Sequence, residues 1–242
     1  MGFIDIYKHK PQVKESANAR VNLIGEHTDY TGGYVMPTLL GFKNTIELSK
    51  NEEESFVVFS EHFNEKKIFN DFIKSHNNDW SDYIKGCLFI FFDEYKKIKL
   101  EHLNLYISST IPLERGISSS SALCVSTLKA LNSYFNTQIN EKHIAILAKK
   151  VEHDYIGVSG GIMDQMVSSI GIHGKAFFLD CLNLKYELVN FPSNWKFCLI
   201  DSEVQRNLRS SSYNDRFNEL KIAEKELDVE YLGGVEVSKF NS

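Results

Sequence analysis

The 242-residue sequence predicts a protein built of both strands and helices, with length for one large domain or two modest ones. Short apolar beats (TIEL, FVVFS, KKIF) mark residues 42 to 72 as sheet strands. The run from Trp80 to Tyr95, WSDYIKGCLFIFFDEY, is long and apolar enough for a buried helix. After Glu141, the residues Ile144, Leu147, Val151 and Tyr155 recur at the spacing of one helix face.

Taken in order, residues 17 to 33 read ANARVNLIGEHTDYTGG. Ala19, Val21 and Leu23 alternate with Arg20 and Asn22, as in a half-buried strand, and the strand breaks at Gly25. Glu26, His27, Thr28 and Asp29 follow, then Tyr30 and a Thr31-Gly32-Gly33 turn, before YVMPTLL resumes an extended pattern. So many hydrogen-bonding groups between two strands suit a small polyhydroxylated ligand, and they equally suit a solvated hairpin loop. Glu52-Glu53-Glu54 forms a solvated turn between two of the strands in 42 to 72. Ser81 is expected to cap the helix that follows, and LNLYISSTIP at 103 to 112 reads as a strand closed by Pro112.

Beyond it, a loop with Gly116 leads to four serines, Ser118 to Ser121, opening a helix striped by Leu123, Leu128, Leu131 and Phe135. These serines serve as caps or border an anion site, where free amides and the helix dipole favour negative charge. The Glu141 helix, capped by Asn140, leaves Glu152 off its apolar stripe, a position that is ordinarily solvated. Gly160-Gly161 permits close backbone approach, and Asp164 sits on the first turn of the next helix, where the dipole favours a carboxylate. Residues 174 to 201 give strands (KAFFLD, KYELVNF, KFCLID), and a last helix from about Ser212 carries Tyr213, Phe217, Leu220 and Leu227 in register.

A net charge of −5 argues against a nucleic-acid surface held by bulk electrostatics, and Lys96-Lys97-Ile98-Lys99 reads as a solvated helix end. Cys87, Cys124, Cys181 and Cys198 are scattered among apolar neighbours without a Cys-x-x-Cys pair, as buried free thiols of a reducing, cytoplasmic compartment would be. The N-terminus lacks the apolar core of a signal peptide, Ile6 stands where a myristoylation motif needs Ser or Thr, and CLFIFF at 87 to 92 is too short to cross a bilayer. No membrane partner is expected.

The segment from Arg20 to Tyr30, RVNLIGEHTDY, closely resembles the signature of the galactokinases, a branch of the GHMP small-molecule kinases. Asn18 and Ala19 depart from the Pro and Gly usual before it. Pro112, Gly116 and Ser118 to Ser120 resemble the GHMP phosphate-binding loop, Pro-x-Gly-x-Gly-Leu-Ser-Ser-Ser, with Ile117 in place of leucine. Glu114 replaces a glycine there, and a carboxylate beside phosphates repels them unless it points away or Arg115 compensates. VEHDYIGVSGGIMDQ resembles the segment carrying the family's metal-binding glutamate and catalytic aspartate, with Gly160 where cysteine is frequent. SEVQRNLRSSSYNDRFNEL resembles the segment whose tyrosine, here Tyr213, helps bind the sugar, although a core tyrosine would fit its stripe nearly as well.

The resemblance implies the GHMP kinase-type α+β fold, with an N-terminal domain over 1–172, a second domain beginning at 173–242, and the active site in the cleft between them. It implies transfer of the ATP γ-phosphoryl group to the anomeric hydroxyl of galactose. Asp164 would orient or deprotonate that hydroxyl, and Arg20 would keep Asp164 ionised and stabilise developing charge. Glu26, His27, Asp29, Gly161 and Tyr213 would bind the sugar. Gly116, Ser118, Ser119 and Ser120 would hold the nucleotide phosphates, and Ser120 and Glu152 a magnesium ion. The family's third, glycine-rich motif has no counterpart, since Gly233-Gly234 is only a pair. The second domain is therefore expected to be incomplete, and the chain to meet a C-terminal partner fragment or to self-associate. A galactose-binding sensor without catalysis, and a sibling kinase for N-acetylgalactosamine or a heptose, are the other readings.

Overall fold

The structure, a computed structural model, describes residues 1–73, 79–112, 115–201 and 211–240, without the side chains of 211–214 and 239–240. Its first strand, β1 (Val13–Asn22), starts well before the apolar beat of Ala19, because Lys14, Glu15 and Ser16 leave no clean alternation. It pairs antiparallel with the long β3 (Pro37–Lys50), from Val13 opposite Leu48 to Asn22 opposite Pro37. The register shifts between Asn18 and Arg20, a strand irregularity at the position where the signature departs from Pro and Gly. Such a bulge re-aims the next side chain, here Arg20.

On its other side β3 pairs with β6 (Leu103–Ser109) through its C-terminal half and, at Thr38 opposite Ala176, with β7 (Lys175–Asp180). β4 (Phe56–Ser60) runs parallel to β6 and pairs with β5 (Glu65–Phe69). β2 (Tyr34–Val35) and β8 (Lys185–Asn190) flank β7, completing one eight-stranded mixed sheet. The boundary expected at residue 173 thus falls just before strands that join this same sheet.

The main core forms where Ile46, Leu48, Phe56, Val58, Leu103 and Leu105 meet α2 (Ser81–Glu94), α3 (Ser119–Phe135) and α4 (Glu141–Lys150). Burying each such side chain contributes about 1.5–3 kcal/mol. The opposite face of β4 and β6, with Phe59 and Tyr106, is covered by a short helix, α1 (Phe3–Tyr7), through Phe3, Ile6 and Tyr7. Cover on both faces explains why β4 is buried at every residue instead of alternating. A second cluster joins Val35, Phe177 and Leu179 to α5 (Met163–Ile170).

Three expectations need correction. Ser81 does not cap α2: the Asp79 carboxylate accepts from both its N–H (2.8 Å) and its hydroxyl (2.6 Å), so the cap lies two residues upstream. KFCLID, Lys196 to Asp201, is not a strand, and Trp195, Phe197, Leu199 and Ile200 are exposed, because apolar alternation makes a strand only where another strand pairs with it. Cys87 and Cys124 are buried as expected, but Cys181 is half-buried and Cys198 exposed. No helix among the described residues is long and apolar enough to cross a membrane.

Candidate functional site

Asp164 stands on the first turn of α5, and Arg20 reaches it from β1 across a separation of 144 residues. Arg20 Nε donates to Oδ1 at 2.6 Å and Nη2 to Oδ2 at 2.7 Å, a fork-to-fork pair with both side chains mostly buried. Burial works against the Arg20 charge, but Asp164 more than offsets it and its pKa is raised. Nη1 donates to the Gly116 carbonyl at 3.1 Å, so one guanidinium holds both the aspartate and the serine loop. The Ser118 hydroxyl adds a third bond to Asp164, donating to Oδ2 at 2.5 Å. Ser118 is the residue before α3, yet its side chain caps nothing. Its backbone is left-handed, at φ 64°, and its hydroxyl turns to the aspartate. A carboxylate has about four lone-pair sites, so three donors leave room for roughly one more.

α3 begins at Ser119, so the amides of Ser119, Ser120 and Ser121 fall in the first turn, which a helix cannot satisfy from within. Glu152 approaches this turn from the far end of α4, where the helix widens into a π turn over Val151–Ile156 and the Gly157 N–H returns to the Glu152 carbonyl. Such a turn winds less per residue than an α-helix and so draws Glu152 inward. Its carboxylate accepts from Ser121 Oγ (3.1 Å) and Gln165 Nε2 (2.5 Å), so Glu152 is not the solvated residue its off-stripe position would make it. Burial raises its pKa to about 7, with the Ser120 hydrogen bond pulling the other way. The sequence marks Ser121 as a cap or anion-site serine and not as a partner of Glu152, and leaves Gln165 unmarked. Their signals were the fourth serine of the run and a glutamine beside Asp164.

In the loop after β1, the Asn22 amide donates to Glu26 at 3.1 Å, and His27 Nδ1 meets the Tyr30 hydroxyl at 2.6 Å. Glu26 and His27 are exposed, whereas Asp29 is half-buried and turned toward Arg20 and Asp164. Burial, then the nearby Asp164 charge, raises the Asp29 pKa to about 6, and Arg20 opposes the rise. Asp29 lies so close to Gly161 that a Cβ there would sit 2.0 Å from its Oδ2, which only glycine allows. The structure thus brings Arg20, Asp29, Gly161, Asp164 and Ser118 together, with Glu152 and Ser120 beside them. Tyr213 lies in α6 (Ser211–Glu226), but its side chain is outside the described ones, and Glu114 lies outside the described residues altogether. Arg115 pairs with Asp201 at 3.0 Å.

Comparison with known proteins gives this geometry a context. The family of GHMP kinases N terminal domains matches residues 82–171, and the galactokinase galactose-binding signature matches residues 1–50. The galactokinase of Pyrococcus furiosus is 39% identical over 210 residues, covering 87% of this chain and 58% of that protein. That of Fusobacterium nucleatum is 33% identical over 249 residues, covering 98% and 64%. The chain therefore spans about three fifths of the length of these relatives. The crystal structure of Lactococcus lactis galactokinase complexed with galactose superposes with a TM-score of 0.85 at 31% identity, over 99% of this chain and 64% of that one. Methanococcus jannaschii mevalonate kinase, at 22% identity and a TM-score of 0.63, shares the fold. Two family matches at separate stretches and a structural match along nearly the whole chain agree: the chain carries a GHMP kinase N-terminal domain and a galactokinase galactose-binding signature, and it is similar to galactokinases along nearly its whole length.

Proposed function

We propose that this chain forms the sugar-binding and phosphate-binding part of an ATP-dependent kinase that phosphorylates the anomeric hydroxyl of galactose. The observation that carries the reading is the joint hold of Arg20 and Ser118 on Asp164, which ties a carboxylate near the sugar loop to the loop opening α3. Phosphoryl transfer depends on in-line alignment and charge neutralisation more than on covalent chemistry, and a direct bond between the two half-sites serves alignment. In this reading Asp164 accepts the hydrogen bond or proton of the reacting hydroxyl, and Arg20 stays charged beside the transferred group. Glu26, His27 and Asp29 accept from or donate to sugar hydroxyls, while Gly161 keeps the floor beneath Asp29 open. Gly116, Ser118, Ser119 and Ser120 cradle the phosphates, and Tyr213 closes the sugar site.

The residues beside the α3 N-terminus fit a magnesium ion. Glu152 is a half-buried carboxylate whose hydrogen bonds come from the neutral Ser121 and Gln165 side chains, and the Ser120 hydroxyl adjoins it. Magnesium takes few protein oxygens and leaves other positions to water and phosphates, in keeping with a site of one carboxylate and one hydroxyl. Bound there, the ion would neutralise phosphate charge. Among the described residues no group of three or more His, Cys, Asp or Glu forms a cage of its own.

The test is a phosphoryl-transfer assay with ATP and magnesium across galactose, N-acetylgalactosamine and heptoses, alongside calorimetric sugar binding. It is run on this chain alone and with a polypeptide supplying the remaining length of its relatives. Galactose is expected to bind and to be the preferred acceptor, with turnover weak or absent in the chain alone and raised by the added part. Galactose binding without turnover in both formats would favour the sensor reading, and no galactose binding would overturn the proposal.

A further inference from the structure

Thr31, Gly32 and Gly33 meet a segment about 200 residues further on, beginning at Tyr231. Gly233, in a 3₁₀ turn (Leu232–Gly234), donates its N–H to the Thr31 carbonyl at 2.8 Å. Its backbone lies so near Gly32 that a Cβ on Gly233 would fall 2.6 Å from the Gly32 carbonyl oxygen. The same segment crowds Gly32: a Cβ there would lie 2.8 Å from the Tyr231 Cβ and 3.1 Å from the first atom of its ring. Two glycine backbones therefore lie against each other with no room for a methyl group on either.

The turn is itself fixed. Glu224, buried on α6, takes the Lys221 ammonium at 2.5 Å and the Leu232 N–H at 3.4 Å, and that ammonium stands over the rings of Phe217 (5.6 Å) and Tyr231 (5.4 Å). Phe217 packs on Tyr30 at 5.2 Å between ring centroids, and the Tyr30 hydroxyl meets His27. From the far side, the Gly33 N–H bonds the Thr28 carbonyl and the Gly33 carbonyl takes the Cys181 N–H. The loop carrying Glu26, His27 and Asp29 is thus bounded by Gly161 at Asp29 and by the Tyr231–Gly233 segment at Thr31 to Gly33.

We infer that Gly233 and Tyr231 are positioning residues for the sugar loop, acting through Thr31, Gly32 and Tyr30 without touching the sugar. The inference deepens the proposed function and rests on its sugar-binding reading. Freeing residues 30 to 33 loosens the spacing among His27, Asp29 and Gly161, which a polar pocket needs in order to pair every hydroxyl.

The test compares Gly233→Ala with Gly234→Ala, whose added methyl meets nothing within 4 Å. Galactose affinity is read by calorimetry, and amide exchange of Gly33 and Cys181 by nuclear magnetic resonance. Gly233→Ala is expected to weaken galactose by about tenfold and to speed Gly33 exchange by about tenfold, with Gly234→Ala at the wild-type values. If Gly233→Ala does not fold, Tyr231→Ala replaces it, and smaller shifts in the same direction are expected. Wild-type affinity and exchange in a folded Gly233→Ala or Tyr231→Ala variant would overturn the inference. Faster exchange in a chain that binds no galactose would uphold the buttress while overturning the sugar reading.

Discussion

At one end of the site Arg20, Asp164 and Ser118 are already bonded to one another, while at the other Glu26 and His27 stand exposed, Glu26 beside Asn22 and His27 beside Tyr30. The two ends face different tasks. Where charge moves during a reaction, dipoles must be in place beforehand, since reorienting them adds to the barrier. Neutral hydroxyls make no such demand, and groups that water keeps satisfied exchange partners when a sugar arrives. The rigid end is wired through side chains, and the open end is shaped through the backbone, by Gly161, Gly32 and Gly233.

The largest effect that would break this contrast is expected from Asp164→Asn. The amide keeps the shape but loses the charge paired with Arg20, and turnover in an active assembly should fall by at least about 100-fold. Leaving Arg20 without its counter-ion should also cost about 3 kcal/mol in urea unfolding. Galactose affinity should be nearly unchanged, and near-normal turnover would show that the wired end is not the reacting one. Asp29→Ala probes the open end and should weaken galactose by about 1–3 kcal/mol in calorimetry, through unpaired hydroxyls.

Glu152→Gln sharpens the contrast through pH. The folded pKa of Glu152, about 7, lies above its ordinary 4.5, so folding favours its protonated form. Its contribution is complete below that ordinary value and disappears as pH rises through about 7. Without divalent cations, the wild-type chain should lose about 2 kcal/mol more stability than Glu152→Gln between about pH 5 and pH 8. Parallel pH profiles in urea titrations would show that the carboxylate is better solvated than its neighbours suggest. The smallest effect belongs to Ser121→Ala, which removes one donor to Glu152 and should cost about 1 kcal/mol of stability while leaving galactose affinity alone.

Much of this was legible in the sequence because it is local. The strands of β3, β4 and β5, the α2 run and the Asn140 cap, whose side chain accepts from the His143 N–H at 2.9 Å, all follow from short-range patterning. The RVNLIGEHTDY signature and the serine run singled out most residues that the structure brings together. What could not be read depends on contacts distant in sequence. The turn of Ser118 toward Asp164, 46 residues away, competes with a capping role that local rules favour. The fate of KFCLID depends on whether a neighbouring strand exists, and the covering of β4 by α1 joins segments some 50 residues apart. The Gly32–Gly233 contact is longer still, and nothing near either glycine announces the other.

The π turn at Val151–Ile156 places two side chains three positions apart against different surroundings: Glu152 meets the serines of α3, and Tyr155 packs beside Gly86 and Phe89. An ordinary helix makes one more efficient turn from fewer residues. In terms of chain length, the turn spends one residue more than an α-helical turn would. Its loss would be a length change that improves the helix while moving Glu152 and Tyr155 out of step with each other. Deleting one residue here should therefore disturb the Glu152 site more than the helix's local stability alone would lead one to expect.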